Sequence, residues 1–298
     1  MGLKWRRTSR PRFSFYLRTS EWKKTAGGMG LVREAGRALA THRGTAYCCL
    51  PFPGVLVTRT SEPIFNIPGI VLAIIAICAL VLAGETYLLT DDEANNTFLY
   101  SFGFVPARYD DSPLAGGLPG GLGAAIWTFV TYAFIHGDIT HLAMNSIWFL
   151  PFGAAVARRF GNLRVLGFFG ATAAGGALMH LATHAGDTTP MIGASGAVSG
   201  FMAGAIRFAF QPDGPVDMFR SDDPAAYFVP AAPLSSALRD SRIMAITVAW
   251  FGLNLLIGLL GVDAPGGESI AWEAHIGGFA AGLLLFPLFD PVPAQTAG

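Results

Sequence analysis

Six apolar runs constrain this chain more than anything else in it. They lie at about 68–89, 139–157, 163–185, 194–210, 243–261 and 274–289. A helix needs roughly 20 apolar residues to cross a bilayer, with a range of about 17–25. Charged residues make up only 13% of the chain, against roughly 25% in an ordinary soluble domain. The expectation is an all-α, polytopic membrane protein with six transmembrane helices. The second, fourth and sixth runs are short or carry polar groups, so they are expected at the centre, packed on protein rather than lipid. The segment 127–136 is apolar but short, and reads as a buried or interfacial element in the first long loop.

The formal net charge of zero hides an asymmetry. Residues 1–60 are rich in Lys and Arg, with only Glu21 and Glu34 as acids. With this tail inside, every Lys and Arg except Arg108 falls on the inner side of a six-span topology. The outer loops instead carry Asp91, Asp92, Glu93, Asp110, Asp111, Asp187, Asp263, Glu268 and Glu273. Excess Lys and Arg mark the cytoplasmic side, so both termini are expected to be cytoplasmic. The domain reading is a basic, disordered cytoplasmic tail over 1–64, a membrane domain over 65–290 and a short cytoplasmic tail over 291–298. The first apolar run begins near Pro68, too deep for a cleavable signal peptide.

Several classes are excluded. Cys48, Cys49 and Cys78 make no disulfide framework. No glycine-rich phosphate loop follows a strand and no C-x-x-C occurs, so no cofactor and no nucleic-acid partner are expected.

The polar residues inside the apolar runs point to chemistry. On this topology His141 and Asn145 lie in the outer half of the second span. Ser195 lies at the outer end of the fourth, and His275 at the outer end of the sixth. Polar groups at membrane depth are costly and are functional candidates by default. A serine hydroxyl needs an adjacent base, and histidine is the usual one. Glu273, two residues before His275, points elsewhere on a helix, so a Ser195–His275 dyad is expected rather than a triad. His141 and Asn145 are four apart and share a helix face. With the backbone around Gly193, Ala194 and Ser195 they could form an oxyanion hole, in which one donor is worth about 2.7–4 kcal/mol.

A plainer account competes for each feature. Gly196, Gly200 and Gly204 repeat at four, as do Gly278 and Gly282, and such spacing marks close helix packing. The two accounts agree here, because Gly196 and Gly278 packing together would bring Ser195 to His275. His180 and His184, also four apart, could ligate a metal with His141. No nearby carboxylate completes that set, so no metal is expected. Trp250 and Phe251 read as packing or lipid-facing residues, or in a functional account as part of a side entrance.

These residues resemble the rhomboid family of intramembrane serine proteases. The resemblance rests on Gly193-Ala194-Ser195-Gly196, on His141-Leu142-Ala143-Met144-Asn145 and on Ala274-His275-Ile276-Gly277-Gly278, supported by the stretch 127–138. It covers about residues 65–290. It implies a six-helix bundle around a water-filled cavity open to the outer face of a bacterial inner membrane. Ser195 would be the nucleophile, His275 the base and acid, and His141 and Asn145 the oxyanion side chains. The implied partners are the lipid bilayer and transmembrane protein substrates. A loop at about 262–273 would cap the site and the fifth span would form a lateral gate. Ser199 departs from the pattern, because many relatives carry an aromatic residue there, stacked on the catalytic histidine. Either Ser199 hydrogen-bonds that ring or another aromatic covers it. The first loop also lacks a clear Trp-Arg pair, and Arg108 is the candidate substitute. The alternative reading is a catalytically silent relative that binds membrane helices.

Overall fold

The computed structural model of the chain describes residues 45–48, 57–60, 67–110, 115–216, 223–260 and 271–293. The chain forms two units, Met1–Glu62 and Pro63–Gly298. In the first, β1 (Thr45–Cys48) pairs antiparallel with β2 (Val57–Thr60), Thr45 opposite Thr60. Thr45, Tyr47, Val57, Thr58 and Thr60 are β-branched or aromatic, which suits a pleated pair. The rest of the basic tail lies outside the described residues.

The second unit is helical. Its elements are α1 (Gly69–Leu88), α2 (Asp92–Phe102), α3 (Gly121–Thr131), α4 (Ile139–Phe160), α5 (Asn162–Thr183), α6 (Ser195–Ala209), the single turn α7 (Leu234–Ala237), α8 (Ser241–Leu260) and α9 (Trp272–Phe289). Among the described residues, α1, α4, α5 and α9 are long and apolar enough to cross a membrane, and Gly121–Phe134 and Ser241–Leu256 are shorter apolar stretches.

α6 is the centre. Its 15 residues reach only about 22 Å at 1.5 Å per residue, less than the roughly 30 Å hydrocarbon thickness. Every residue from Gly196 to Ala209 is buried, as expected of a helix surrounded by others. α4, α5 and α9 pack around it, and α1 lies outermost, with 17% of its spanning window buried against 44% for α5 and for α9. The expected grouping of central spans therefore needs one change: α5, read as an ordinary span, is as buried as α9. It owes this to Gly175 and Gly176, which lie against the backbone of α9.

The glycines set the register. A Cβ on Gly278 would collide with the backbone of Gly196, and one on Gly282 with that of Gly200. Both pairs advance by four along each helix, so α6 and α9 run parallel with their N-termini at the same end. An aromatic core fills the rest. Phe201 meets Phe149 and Phe168 edge-on, each with ring centroids 5.1 Å apart.

The end of the bundle where α4, α6 and α9 finish is closed by charge. The buried Arg159 guanidinium grips Asp290 through two bonds of 2.8 and 2.9 Å and donates at 2.7 Å to the carbonyls of both Tyr227 and Val229. Arg207 donates to the carbonyls of Ala232 and Leu283.

Candidate active site

The candidate residues gather at the opposite end, where α4, α6 and α9 begin. Ser195 is the first residue of α6 and is partly exposed. His275 sits in the first turn of α9 and is buried. Counting back from the Gly196–Gly278 contact puts them roughly 3 Å apart along the helix axes. Among the described residues no hydrogen bond joins Ser195 to His275. Bonds between catalytic groups are often long before substrate binds.

The turn before Ser195 is built for close approach. Gly193 has φ +109°, a conformation that side chains rarely adopt. A Cβ there would lie 2.6 Å from His141 Nε2, so the His141 ring rests on the Gly193 backbone. The turn is tied down by Gly193 N–H donating to the Tyr132 carbonyl at 3.0 Å and by paired bonds between Phe104 and Met191. His141 is placed by the cap of α4, where the Asp138 carboxylate accepts its backbone N–H at 2.7 Å. One turn on, buried Asn145 donates to the His141 carbonyl at 3.1 Å. A pocket lined by Cys78, His136, Asn145, Ser146 and Ala194 opens between α1 and α4.

His275 has a partner that the sequence reading missed. Its Nδ1 contacts the side-chain oxygen of Asn254, on α8. The Asn254 amide donates through Nδ2 to the Trp250 carbonyl at 2.7 Å, which leaves Oδ1 as the acceptor. Nδ1 of His275 must then carry the proton, and the lone pair sits on Nε2. The signal was in the sequence: Asn254 is a polar amide within an apolar run.

Ser199 does not take the role of the missing aromatic. Its hydroxyl donates back to the Ser195 carbonyl at 2.8 Å. The Trp250 ring lies beside His275, with centroids 6.2 Å apart and planes tilted at 36°. Trp250 is thus a packing residue, set against His275 and edge-on against Trp148. Phe251 packs on Phe279 of α9. Tyr132 also contributes, its buried hydroxyl bonded to the Ala173 carbonyl and set close against Gly196. His136 is buried and meets His141 edge-on, with ring centroids 5.0 Å apart.

Arg108 braces the first loop. It donates to the carbonyls of Pro119 and Tyr100 at 2.9 and 2.5 Å. Burial pulls its pKa below the usual arginine value, which the neighbouring Tyr109 partly opposes. The expected cap loop at about 262–273 lies mostly outside the described residues.

One sequence expectation is corrected. Glu273 points away from His275 as expected of its helix position, but the expectation that no carboxylate stands beside His180 and His184 fails. Glu273 Oε1 lies 3.8 Å from His184 Nε2. His180, His184 and Glu273 form the cluster, without His141.

These features define a class first: a helical membrane bundle with polar groups collected at one end of three tightly packed helices. The chain belongs to the rhomboid family, whose Rhomboid domain matches residues 123–290. It is similar to RHOMBOID-like protein 12, mitochondrial, of Arabidopsis thaliana, at 29% identity over 174 residues, covering 51% of this chain and 43% of that protein. It is also similar to RHOMBOID-like protein 4 of the same plant, at 26% identity over 161 residues, covering 53% and 33%. The matched part thus spans less than half the length of either relative.

Proposed function

We propose that the protein is an intramembrane serine endopeptidase with Ser195 as nucleophile and His275 as base. The observation that carries this reading is the bond between His275 Nδ1 and Asn254, because it leaves Nε2 free to accept a proton. His275 Nε2 takes the Ser195 hydroxyl proton as Oγ attacks the scissile carbonyl. The oxyanion is met by His141, Asn145 and the backbone N–H groups of Ala194 and Ser195, helped by the partial positive charge of the α6 N-terminus. His275 then gives its proton to the leaving amine, and water repeats the cycle to free the acyl group.

The substrates would be transmembrane proteins whose helices open locally. A helical peptide bond has its carbonyl occupied, so Gly or Pro in the substrate would ease unwinding by about 1 and 3 kcal/mol relative to Ala. In this reading six helices span the membrane with both termini inside, and the site faces outward. The charge asymmetry supports that orientation. The bilayer is a bacterial inner membrane.

The test uses purified protein in detergent with a model transmembrane substrate. Ser195→Ala and His275→Ala should each abolish cleavage, by at least about 10³-fold. Cleavage surviving in both variants would sink the assignment. A fluorophosphonate probe that fails to label the wild type would favour a silent, helix-binding relative.

A further inference from the structure

A second group of side chains lies beside the site and takes no part in the mechanism above. His180 and His184 stack nearly parallel at the end of α5, with ring centroids 4.5 Å apart and planes at 19°. Glu273 reaches them from the first turn of α9. One ligand atom from each of the three lies within 4.8 Å of the others.

The hydrogen bonds around Thr183 favour one tautomer of His184. The Thr183 hydroxyl points its hydrogen at the carbonyls of Met179 and His180, at 3.0 and 3.2 Å. With the hydrogen engaged there, its oxygen, 2.9 Å from His184 Nδ1, accepts from that nitrogen. Nδ1 carries the hydrogen, and the Nε2 lone pair faces the Glu273 carboxylate 3.8 Å away. Two acceptors facing each other need a proton or a cation between them. His180 adds a second demand: it is buried, and its Nδ1 has no hydrogen-bond partner among the described residues. A single proton can join one imidazole to the carboxylate. A metal ion can satisfy all three groups together.

We propose that His180, His184 and Glu273 form a binding site for a divalent transition-metal ion, with zinc the best match. Two imidazoles and one carboxylate suit zinc, and a tetrahedral site with bonds of roughly 2.0–2.1 Å has ligand atoms about 3.3 Å apart. The observed 3.8 Å between His184 and Glu273 closes to that with a small side-chain shift. The Thr183 contact is of the kind that orients metal-bound imidazoles from behind. Asp187 adds negative charge nearby. Its carboxyl is held below the usual range chiefly by the Thr189 backbone N–H. Bound metal would pin the end of α5 to the first turn of α9, two residues before His275.

This inference does not rest on proteolysis, and its test reads binding alone. Zinc chloride is titrated calorimetrically into the full chain in detergent, stripped with EDTA and carrying no polyhistidine tag. The expected result is saturable binding of about one ion per chain. Affinity should fall by roughly tenfold or more in His184→Ala and in Glu273→Gln, and by about 10–100-fold in Thr183→Val, which leaves the ligands in place. Cobalt(II) added to the wild type should give tetrahedral d–d absorption, a readout independent of any variant's folding. No saturable binding to the wild type would overturn the proposal and leave an ion pair only. Equal affinity in wild type and variants would overturn it too, by placing the zinc elsewhere.

Discussion

The two ends of the bundle bury polar groups under opposite rules. At the end where α9 finishes, Arg159 has all three guanidinium nitrogens bonded, to Asp290 and two backbone carbonyls, with the Phe208 ring 4.7 Å beneath it. At the end where α9 begins, His136 is almost fully buried, yet its ring nitrogens make no well-formed hydrogen bond among the described residues, the Phe134 backbone being a poorly aligned neighbour. Unmade hydrogen bonds cost about 1–3 kcal/mol each. A fold that closes one end completely and leaves polar groups uncommitted at the other has separated holding the helices together from meeting a ligand or solvent.

The largest effect on stability should come from the closed end. Arg159→Ala leaves Asp290 buried without its cation, a loss of about 3–5 kcal/mol. Thermal melts in detergent should show a large drop, while the molecules still folded keep cleaving substrate. An unchanged melt would break the comparison by showing that the Arg159 network is not structural.

The next effect is catalytic. Asn254→Ala removes the acceptor that holds the proton on His275 Nδ1, and should lower kcat by about 10–100-fold, part of the ~10²–10⁴ that a positioned base supplies. KM and the melting temperature should move little, and Asn254→Asp, which keeps an acceptor, should retain more activity than the alanine variant. A change in KM alone would assign Asn254 to substrate binding instead.

Gly193→Ala combines a φ of +109° with a Cβ 2.6 Å from His141. Strain of this kind costs about 1–3 kcal/mol. Cleavage should fall more than stability does, because the displaced group is His141, the oxyanion donor of the proposed mechanism. Equal losses in a melt and in an activity assay would mark Gly193 as structural only.

The smallest effect sharpens the contrast most. His136→Phe replaces a buried ring that lacks a well-formed hydrogen bond with an apolar one of similar shape. It should be neutral or stabilising by up to about 1–3 kcal/mol, as read from the same melts. A strong destabilisation would mean that His136 is held by contacts like those of Arg159.

Much of this was legible before the structure. The helices lie within a few residues of the apolar runs; α5 covers Asn162–Thr183 where 163–185 was expected. The glycine spacing foretold the contact between α6 and α9, because only residues without side chains let two backbones touch. Asn254 and Glu273 were not legible in their roles. Each is one polar residue in an apolar or terminal stretch, and its partner lies on another helix.

The sequence by itself determined where the helices fall, which glycines pack and which family this is, because hydrophobic length and small-residue spacing are local properties of the chain. Only the tertiary structure decided which nitrogen of His275 carries the proton, that the Trp250 ring lies beside it, and that Glu273 meets His180 and His184. Those depend on the rotation of α8, α5 and α9 about their own axes, which is set by packing between helices and leaves no periodic mark in any one of them.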